Sequence, residues 1–288
     1  MRDAARRPAA ATVDLATRKF WRLIGREIDL GGEHAWLRAP TVGPGTVGTA
    51  WLDAEAALRG GAVHHDLPDA GLIGDWGALA GPGFDPSALH PSITDFYRHT
   101  ARWRMEVWSS WSPLFQPGGE VISRGFGRRV QQLALPTRPL DVARGLDGRV
   151  SVLTDATGAQ IAAGWIRTLR STGDVVFSGR YSTRTLPGAD RPSVHVTFPL
   201  EAGNLQVFLR PHNRAGGALE LASGRGPWGS DGAYITVRDR GRDYAQRVPL
   251  HESFLLAVDD EQVLRTDHVL RFGPATALRL HYKLTRTG

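Results

Sequence analysis

The chain has 288 residues, a formal net charge of +6 and no cysteine. Apolar residues make up 41% of the sequence and charged residues 22%, which is typical of a globular protein with a sizeable core. The lack of cysteine excludes thiolate nucleophiles, thiolate zinc sites, iron–sulfur clusters and disulfides. No apolar run reaches the roughly 18 residues that a membrane-spanning helix needs.

The N-terminal segment and the distribution of basic residues bear on the cellular location and on the class of partner. Residues 1–12 are rich in arginine and alanine but lack the apolar stretch of a secretion signal, so we expect a disordered tail on a cytoplasmic protein. Only Lys19 and Lys283 are lysines among the 35 basic residues, which indicates codon bias from a GC-rich genome. Because the arginines are scattered among 29 acidic residues, the charge argues against a nucleic-acid partner.

Residues 13–136 are predicted to be mainly helical. Arg102–Trp111 alternates instead between apolar and polar residues, which predicts one strand in this region. His64–Pro91 is rich in glycine, proline and aspartate but also carries apolar residues, so we expect an ordered wrap. The predicted helices are Val13–Ile28 with Asp14 as N-cap, Thr49–Leu58, one that begins near Pro91, and Glu120–Leu133 with a basic face of Arg124, Arg128 and Arg129.

Residues 137–288 change to short alternating segments that are separated by turn residues. Ten such segments without helices between them predict an antiparallel meander, and closing the sheet removes its unpaired edges. The sequence therefore predicts a mainly β (α+β) fold, a lipocalin-like barrel on which residues 13–136 pack to form one ligand-binding unit. The predicted strands are Arg149–Thr154, Gln160–Leu169, Asp174–Arg184, Ser193–Leu200, Asn204–Arg210, Ala218–Ser223, Ala233–Arg238, Tyr244–Val258, Val263–Phe272 and Ala277–Leu284.

Familiar catalytic motifs are missing or out of context. Gly224–Gly229 matches the dinucleotide pattern G-x-G-x-x-G, but it lies between two predicted strands and contains Pro227. We interpret it as a loop that could place Trp228 as a lid over the barrel. The ten histidines show no metal-ligand spacing, and the sequence has neither a G-x-S-x-G elbow nor a P-loop. The sequence thus predicts no metal or other cofactor.

The last two predicted strands carry the candidate catalytic groups. If their apolar faces align, paired residue numbers sum to an even value such as 548 or 550, which places His268 opposite Leu280 or Tyr282. A histidine on an apolar face is more often a core residue than a catalyst. If the barrel interior is a cavity, however, His268 and Tyr282 are its best-placed proton donors or hydrogen-bonding groups.

Other polar groups of the barrel have no clear partner in the sequence. Glu106, Glu252 and Asp267 could act as acids, but nothing in the sequence pairs them. His281 is predicted to face outward beside Asp267 or Val269.

Aromatic residues are concentrated in the predicted strands. They could form the barrel core, or they could form a bed for a flat or polyene-like ligand, since indole rings offer large and rigid contact areas. The candidate ligand-binding residues are Trp103, Met105, Val107, Trp108, Trp111, Trp165, Phe177, Tyr181, Phe198, Trp228 and Phe272.

Two resemblances bear on function. Five blocks carry the first: Asp95-Phe-Tyr-Arg-His-Thr, Trp108-Ser-Ser-Trp-Ser-Pro, Arg128-Arg-Val-Gln-Gln-Leu, Thr266-Asp-His and Leu280-His-Tyr. They resemble a group of uncharacterised bacterial proteins over residues 90–285, a resemblance that implies no catalytic residues. The predicted barrel also looks like the stand-alone cyclases of polyketide pathways. That resemblance implies an apolar cavity that folds a reactive polyene and accelerates its cycloaddition.

Three functions remain open at this point. The leading hypothesis is a metal-free, non-redox cyclase that holds an apolar, polyketide-like molecule in a near-attack arrangement. The second is a non-catalytic carrier of lipids or polyketides. The third is a structural or interaction module with a filled barrel, acting through the basic surface of residues 124–149 and the arginine-rich N-terminal tail. A cavity would separate the third hypothesis from the other two, and product analysis would separate the cyclase from the carrier.

Overall fold

The computed structural model describes residues 19–42, 49–113, 115, 145–173 and 175–287. Within these ranges the chain is mostly β and includes the α-helices α1 (Ala50–Leu58) and α2 (Pro91–Arg98). The strands are β1 (Arg26–Ile28), β2 (Ala62–His64), β3 (Trp103–Trp111), β4 (Leu146–Thr154), β5 (Gln160–Leu169), β6 (Val175–Arg184), β7 (Ser193–Leu200), β8 (Gly203–Arg214), β9 (Ala218–Ala222), β10 (Gly232–Asp239), β11 (Arg242–Val248), β12 (Leu250–Val258), β13 (Leu264–Phe272) and β14 (Ala275–Arg286).

Ten of these strands close into an antiparallel barrel. Around the ring the order is β3, β14, β13, β12, β9, β8, β7, β6, β5 and β4. The ring closes between β3 and β4 where Met105 pairs with Leu146. The prediction of a closed antiparallel barrel is confirmed, and β3 is one of its strands rather than a separate element packed on its surface.

The barrel is not a simple meander, because β8 forks. Its first half pairs with β10, with Val207 opposite Ala233, and its second half pairs with β9, with His212 opposite Glu220. Strands β10, β11 and β1 then continue outward from the ring as an extension of the sheet. The chain thus leaves the barrel after β9 and returns to it at β12.

The point of return explains one wrong strand prediction. Tyr244–Val258 was expected as one strand, but it is two, β11 and β12, separated by Pro249. Proline has no N–H to donate to a neighbouring strand and is excluded from the middle of a sheet. The chain changes partners at this residue, from β10 before it to β13 and β9 after it.

The predicted helix over Val13–Ile28 is shorter than expected. Residues 19–24 are helical, but Ile28 belongs to β1, and residues 13–18 lie outside the described ranges, as does the whole segment Glu120–Leu133. The helix ends at Gly25, whose N–H donates to the Trp21 carbonyl oxygen at 2.9 Å. A Cβ atom at Gly25 would lie 2.5 Å from that oxygen, so the close approach requires glycine.

The helices and the residue 64–91 wrap pack against the barrel at different places. The predicted helices at Thr49–Leu58 and near Pro91 are present as α1 and α2. From α2, Phe96 and Tyr97 pack into the same apolar core as the inward residues of the barrel, together with Trp76 from the wrap. Helix α1 instead covers the outer face of the barrel, where Trp51 packs against Leu153 and Ile166. None of the helices in the described ranges is long and apolar enough to cross a membrane.

Candidate functional site

The barrel encloses a cavity of about 540 Å³. This volume falls within the range of small-molecule sites, roughly 300–1,000 Å³, so the interior is not filled by side chains. Most of the lining is aromatic or aliphatic. The lining residues are Phe96, Tyr97, Met105, Trp111, Phe115, Trp165, Arg167, Phe177, Tyr181, Val196, Phe198, Leu205, Leu209, Leu221, Leu250, Glu252, Phe254, Leu256, Thr266, His268, Leu270, Phe272, Ala277, Leu280, Tyr282 and Leu284.

The register of β13 and β14 places the candidate catalytic groups in this lining. His268 pairs with Leu280, and Thr266 with Tyr282, so that paired numbers sum to 548 as one of the two predicted registers requires. On the opposite face, His281 pairs with Asp267, and its Nδ1 lies 2.7 Å from a carboxylate oxygen of Asp267. The predicted inward and outward faces of both strands are therefore confirmed.

His268 presents two unpaired ring nitrogens. Its ring stacks on Phe254 with centroids 3.8 Å apart, which fixes the plane of the imidazole. Both Nδ1 and Nε2 are buried and form no hydrogen bond within the described part of the chain. Burial, with a smaller contribution from the charge of Arg167, lowers the pKa of His268 to about 3. The imidazole is therefore neutral near pH 7, with one nitrogen able to donate a hydrogen bond and the other able to accept one.

Glu252 lies beside His268 on the neighbouring strand of the cavity wall. It precedes Phe254 by two residues on β12, so alternation points both side chains inward. Its Oε2 lies 3.8 Å from Nε2 of His268, which is too long for a hydrogen bond. Burial raises the pKa of Glu252 to about 7. The carboxyl group can therefore act as a proton donor at neutral pH.

Arg167 is the cation of the cavity. Its guanidinium carbon lies 3.7 Å from the ring centroid of Trp165 and 4.4 Å from that of Phe177. Its Nε is buried without a hydrogen-bond partner, and no carboxylate of the described residues lies within 4.0 Å of the guanidinium group. Contact with ring faces stabilises the cation, and the phenol of Tyr282 is a hydrogen-bonding neighbour of the guanidinium. The buried Nε is the donor of Arg167 that has no partner among the described residues.

Three tyrosines complete the polar part of the lining. Burial raises the pKa of Tyr97, Tyr181 and Tyr282, and the positive charge of Arg167 opposes the rise at each of them. All three phenols are therefore protonated at neutral pH. They can donate hydrogen bonds to an oxygen held between them and Arg167.

The structure brings most of the sequence-predicted site residues together. Those that line the cavity are Met105, Trp111, Trp165, Phe177, Tyr181, Phe198, Phe272, His268 and Tyr282. Trp103 and Val107 pack into the adjoining core instead; the indole N–H of Trp103 donates to Asp95 at 3.1 Å.

Two predicted ligand contacts require correction. Trp108 lies on the outer surface, 49% exposed and near the ring of His281, because alternation along β3 turns even-numbered residues outward. Trp228 does not cover the cavity as a lid. It packs outside the barrel against Trp36 and Tyr234, with the guanidinium of Arg26 at 4.0 Å from its ring.

Sequence reasoning did not find Arg167 or Tyr97 and left Glu252 without a partner. A signal for Arg167 was present in its spacing from Trp165, since residues two apart in a strand share a face. No such signal links Glu252 to His268, because their proximity depends on the pairing of β12 with β13.

No protein-family model, curated protein or solved structure matches this chain. The chemistry of the cavity itself therefore has to carry the functional argument. In the part of the chain that the structure describes, no three histidine, aspartate or glutamate side chains form a group that could hold a metal ion.

Proposed function

We propose that the barrel binds an apolar, polyketide-like small molecule, in the manner of a lipocalin, and promotes its ring closure. The observation that carries this proposal is the cavity of about 540 Å³, whose wall is apolar except for one group of polar side chains. Such a site buries an apolar ligand and fixes its orientation with a few polar contacts.

Ring closure suits a rigid apolar cavity. A cycloaddition converts two π bonds of one molecule into two σ bonds, so no atom or electron enters or leaves. The protein has to hold the reacting carbons close together, and the rings of Trp165, Phe177 and Phe198 supply rigid walls for this purpose.

Polar side chains can assist the same reaction. A hydrogen bond to a carbonyl oxygen of the ligand withdraws electron density from the conjugated system and stabilises a polar transition state. Glu252 and Tyr282 are both inward-facing donors when protonated. Neutral His268 can donate as well, from whichever nitrogen carries the proton.

Product analysis tests the proposal. The gene for the protein is first deleted from the source organism, and an organic extract of this deletion strain is prepared. The protein is then incubated with the extract, and the mixture is analysed by liquid chromatography and mass spectrometry. Because ring closure is an isomerisation, we expect one compound to be replaced by another of identical mass but different retention and ultraviolet spectrum. A compound that binds and is recovered unchanged would indicate a carrier and would contradict the cyclase.

Two adjacent leucines provide matched controls. Leu256 lines the cavity, whereas Leu255 faces outward and is 39% exposed. We expect Leu256→Trp to narrow the cavity and lower conversion, while Leu255→Trp retains it. Equal activity of the two variants would place the reaction outside the barrel.

A further inference from the structure

Five polar side chains line the largely apolar cavity together. Arg167 from β5, Glu252 from β12, His268 from β13, Tyr282 from β14 and Tyr181 from β6 all line the same space. Nε2 of His268 lies 3.8 Å from Oε2 of Glu252, and the guanidinium carbon of Arg167 lies 5.8 Å from the ring centroid of Tyr282. We call these five residues the polar cluster.

The polar cluster contains buried atoms with no partner in the protein. They are Nε of Arg167 and both ring nitrogens of His268. A buried polar atom without a hydrogen bond costs about 1–3 kcal/mol, and most buried polar atoms of native proteins are paired. These three atoms border the cavity, so their hydrogen-bond partners have to come from its contents, either water or a ligand.

The charge of the polar cluster indicates the chemistry of that molecule. Between about pH 3, the pKa of His268, and about pH 7, the pKa of Glu252, the imidazole of His268 and the carboxyl of Glu252 are both neutral. The phenols of Tyr97, Tyr181 and Tyr282 are neutral over the same range. Arg167 alone carries a full charge among the lining residues, and its guanidinium lacks a carboxylate partner within 4.0 Å in the described ranges. An anion would balance this charge, whereas a cation would be repelled by it.

We propose that the ligand carries one acidic oxygen group, a carboxylate or an enolised carbonyl, and that Arg167 binds this group inside the barrel. The guanidinium is well suited to the task because its planar fork can donate two parallel hydrogen bonds, and the rings of Trp165 and Phe177 hold it in place. Glu252 and His268, which lie 3.8 Å apart on the neighbouring strands β12 and β13, are further polar groups of the same cavity. This inference rests on the proposed function, since it specifies which apolar molecules the cavity accepts.

A matched pair of probes tests the inference. cis-Parinaric acid and its methyl ester carry the same fluorescent polyene and differ only in the acidic group. At pH 6.5 we expect the wild-type protein to bind the acid at least about tenfold more tightly than the ester, since a hydrogen bond to a charged group contributes about 1.5–3 kcal/mol. Arg167→Met should reduce the preference to less than about twofold while leaving the affinity for the ester nearly unchanged.

Three further variants separate the role of the Arg167 guanidinium from general effects of charge. Arg167→Lys keeps the charge but loses the planar fork, so it should retain only part of the preference. Arg170→Met removes an exposed arginine that pairs with Asp147, and it should retain the whole preference. Glu252→Gln should keep the preference for the acid above pH 7, where the wild-type preference falls as Glu252 ionises and repels the anion. This last comparison does not require Arg167→Met to fold.

The outcomes separate this inference from the function on which it rests. If both probes bind the wild-type protein equally, or if Arg167→Met retains the full preference for the acid, Arg167 is not the binding group and the inference is wrong. If neither probe binds, the barrel is not an apolar ligand site, and the proposed function fails together with the inference. A preference for the acid that depends on Arg167 supports both.

Discussion

Two regions of the barrel bury polar side chains, and they differ in how those side chains are paired. On the outer face, beneath α1, the guanidinium of Arg180 forms an ion pair with Glu55 at 2.7 Å and also donates to Ser182. On the inner face, Arg167 lies against two aromatic rings without a carboxylate within 4.0 Å among the described residues. The outer cation therefore has a buried counterion, whereas no counterion of the inner cation is present among the described residues.

Two histidines show the same difference. His195 on the outer side and His268 in the cavity are both buried, and each stacks on a phenylalanine, with ring centroids 4.3 Å and 3.8 Å apart respectively. Nε2 of His195 lies 2.8 Å from Gln206, which in turn donates to the Leu37 carbonyl oxygen. Neither nitrogen of His268 has such a partner. His195 keeps one unpaired nitrogen, Nδ1, whereas both nitrogens of His268 lack a partner among the described residues. Burial is therefore common to the two histidines, and the number of hydrogen bonds differs between them.

The largest expected loss of folding stability comes from breaking the ion pair between Arg180 and Glu55. Arg180→Met leaves Glu55 buried without its counterion, and we expect the free energy of unfolding to fall by about 3–5 kcal/mol. Arg167→Met removes a cation that has no such partner, so it should cost less than about 1 kcal/mol or even stabilise the unliganded protein. Urea unfolding followed by circular dichroism measures both values. Equal losses for the two variants would contradict the comparison.

The pH dependence of stability tests the burial of Glu252. Its pKa rises from 4.5 when unfolded to about 7 when folded, so between these values the folded state holds a proton that the unfolded state has released. Stability contributed by this group is thus complete below pH 4.5, falls as the pH rises to 7 and is then constant. Glu252→Gln lacks this loss, and its stability relative to wild type should increase by about 3 kcal/mol from pH 4 to pH 8.

An exposed glutamate provides the control for that titration. Glu261→Gln, at a surface position, should change relative stability by less than about 0.5 kcal/mol over the same range. If Glu252→Gln shows no larger pH dependence than Glu261→Gln, Glu252 is solvated and cannot act as a neutral acid in the cavity.

The two histidines should respond differently to the same substitution. His195→Phe leaves Gln206 without its side-chain partner, and we expect a loss of about 1–3 kcal/mol. His268→Phe removes no hydrogen bond of the protein and should cost less than about 1 kcal/mol. Urea midpoints measured at pH 7.5, where both histidines are neutral, give the comparison. A greater loss for His268→Phe would mean that the imidazole has a structural role.

The smallest effect is expected on the barrel exterior. Asp267 and His281 form a pair there in which Asp267 is 65% exposed. Solvent-exposed pairs of this kind contribute at most about 1 kcal/mol. Asp267→Asn should therefore change stability by less than that amount and leave parinaric acid binding unchanged. A loss of binding would show that a change on the outer face of β13 alters the cavity.

Local patterns predicted the strands better than their connections. Alternation and turn residues located Gln160–Leu169 and Ser193–Leu200 residue for residue. The parity of facing residues limited the partner of His268 to Leu280 or Tyr282, and the structure pairs it with Leu280. The fork in β8 was not predicted because it depends on which distant strands compete for one edge. The break at Pro249 was available from the sequence but was outweighed by the apolar residues around it.

The site was predictable only in part. His268 and Tyr282 emerged from the alternation of a single hairpin, and the aromatic lining emerged from composition. The grouping of Arg167 with Glu252 and His268 requires β5 to lie across the barrel from β12 and β13, which is a property of closure rather than of any one segment. Whether a side chain has a partner is likewise visible only in three dimensions.

The central claim is that the barrel interior is a ligand site. Fluorescence titration with the neutral methyl ester of parinaric acid tests it most directly when the wild-type protein is compared with Leu256→Trp and Leu255→Trp. We expect one ester molecule to bind per chain in the wild type and in Leu255→Trp, and binding to weaken at least about tenfold in a folded Leu256→Trp protein. Undiminished binding by Leu256→Trp would place the ligand outside the cavity and contradict the claim.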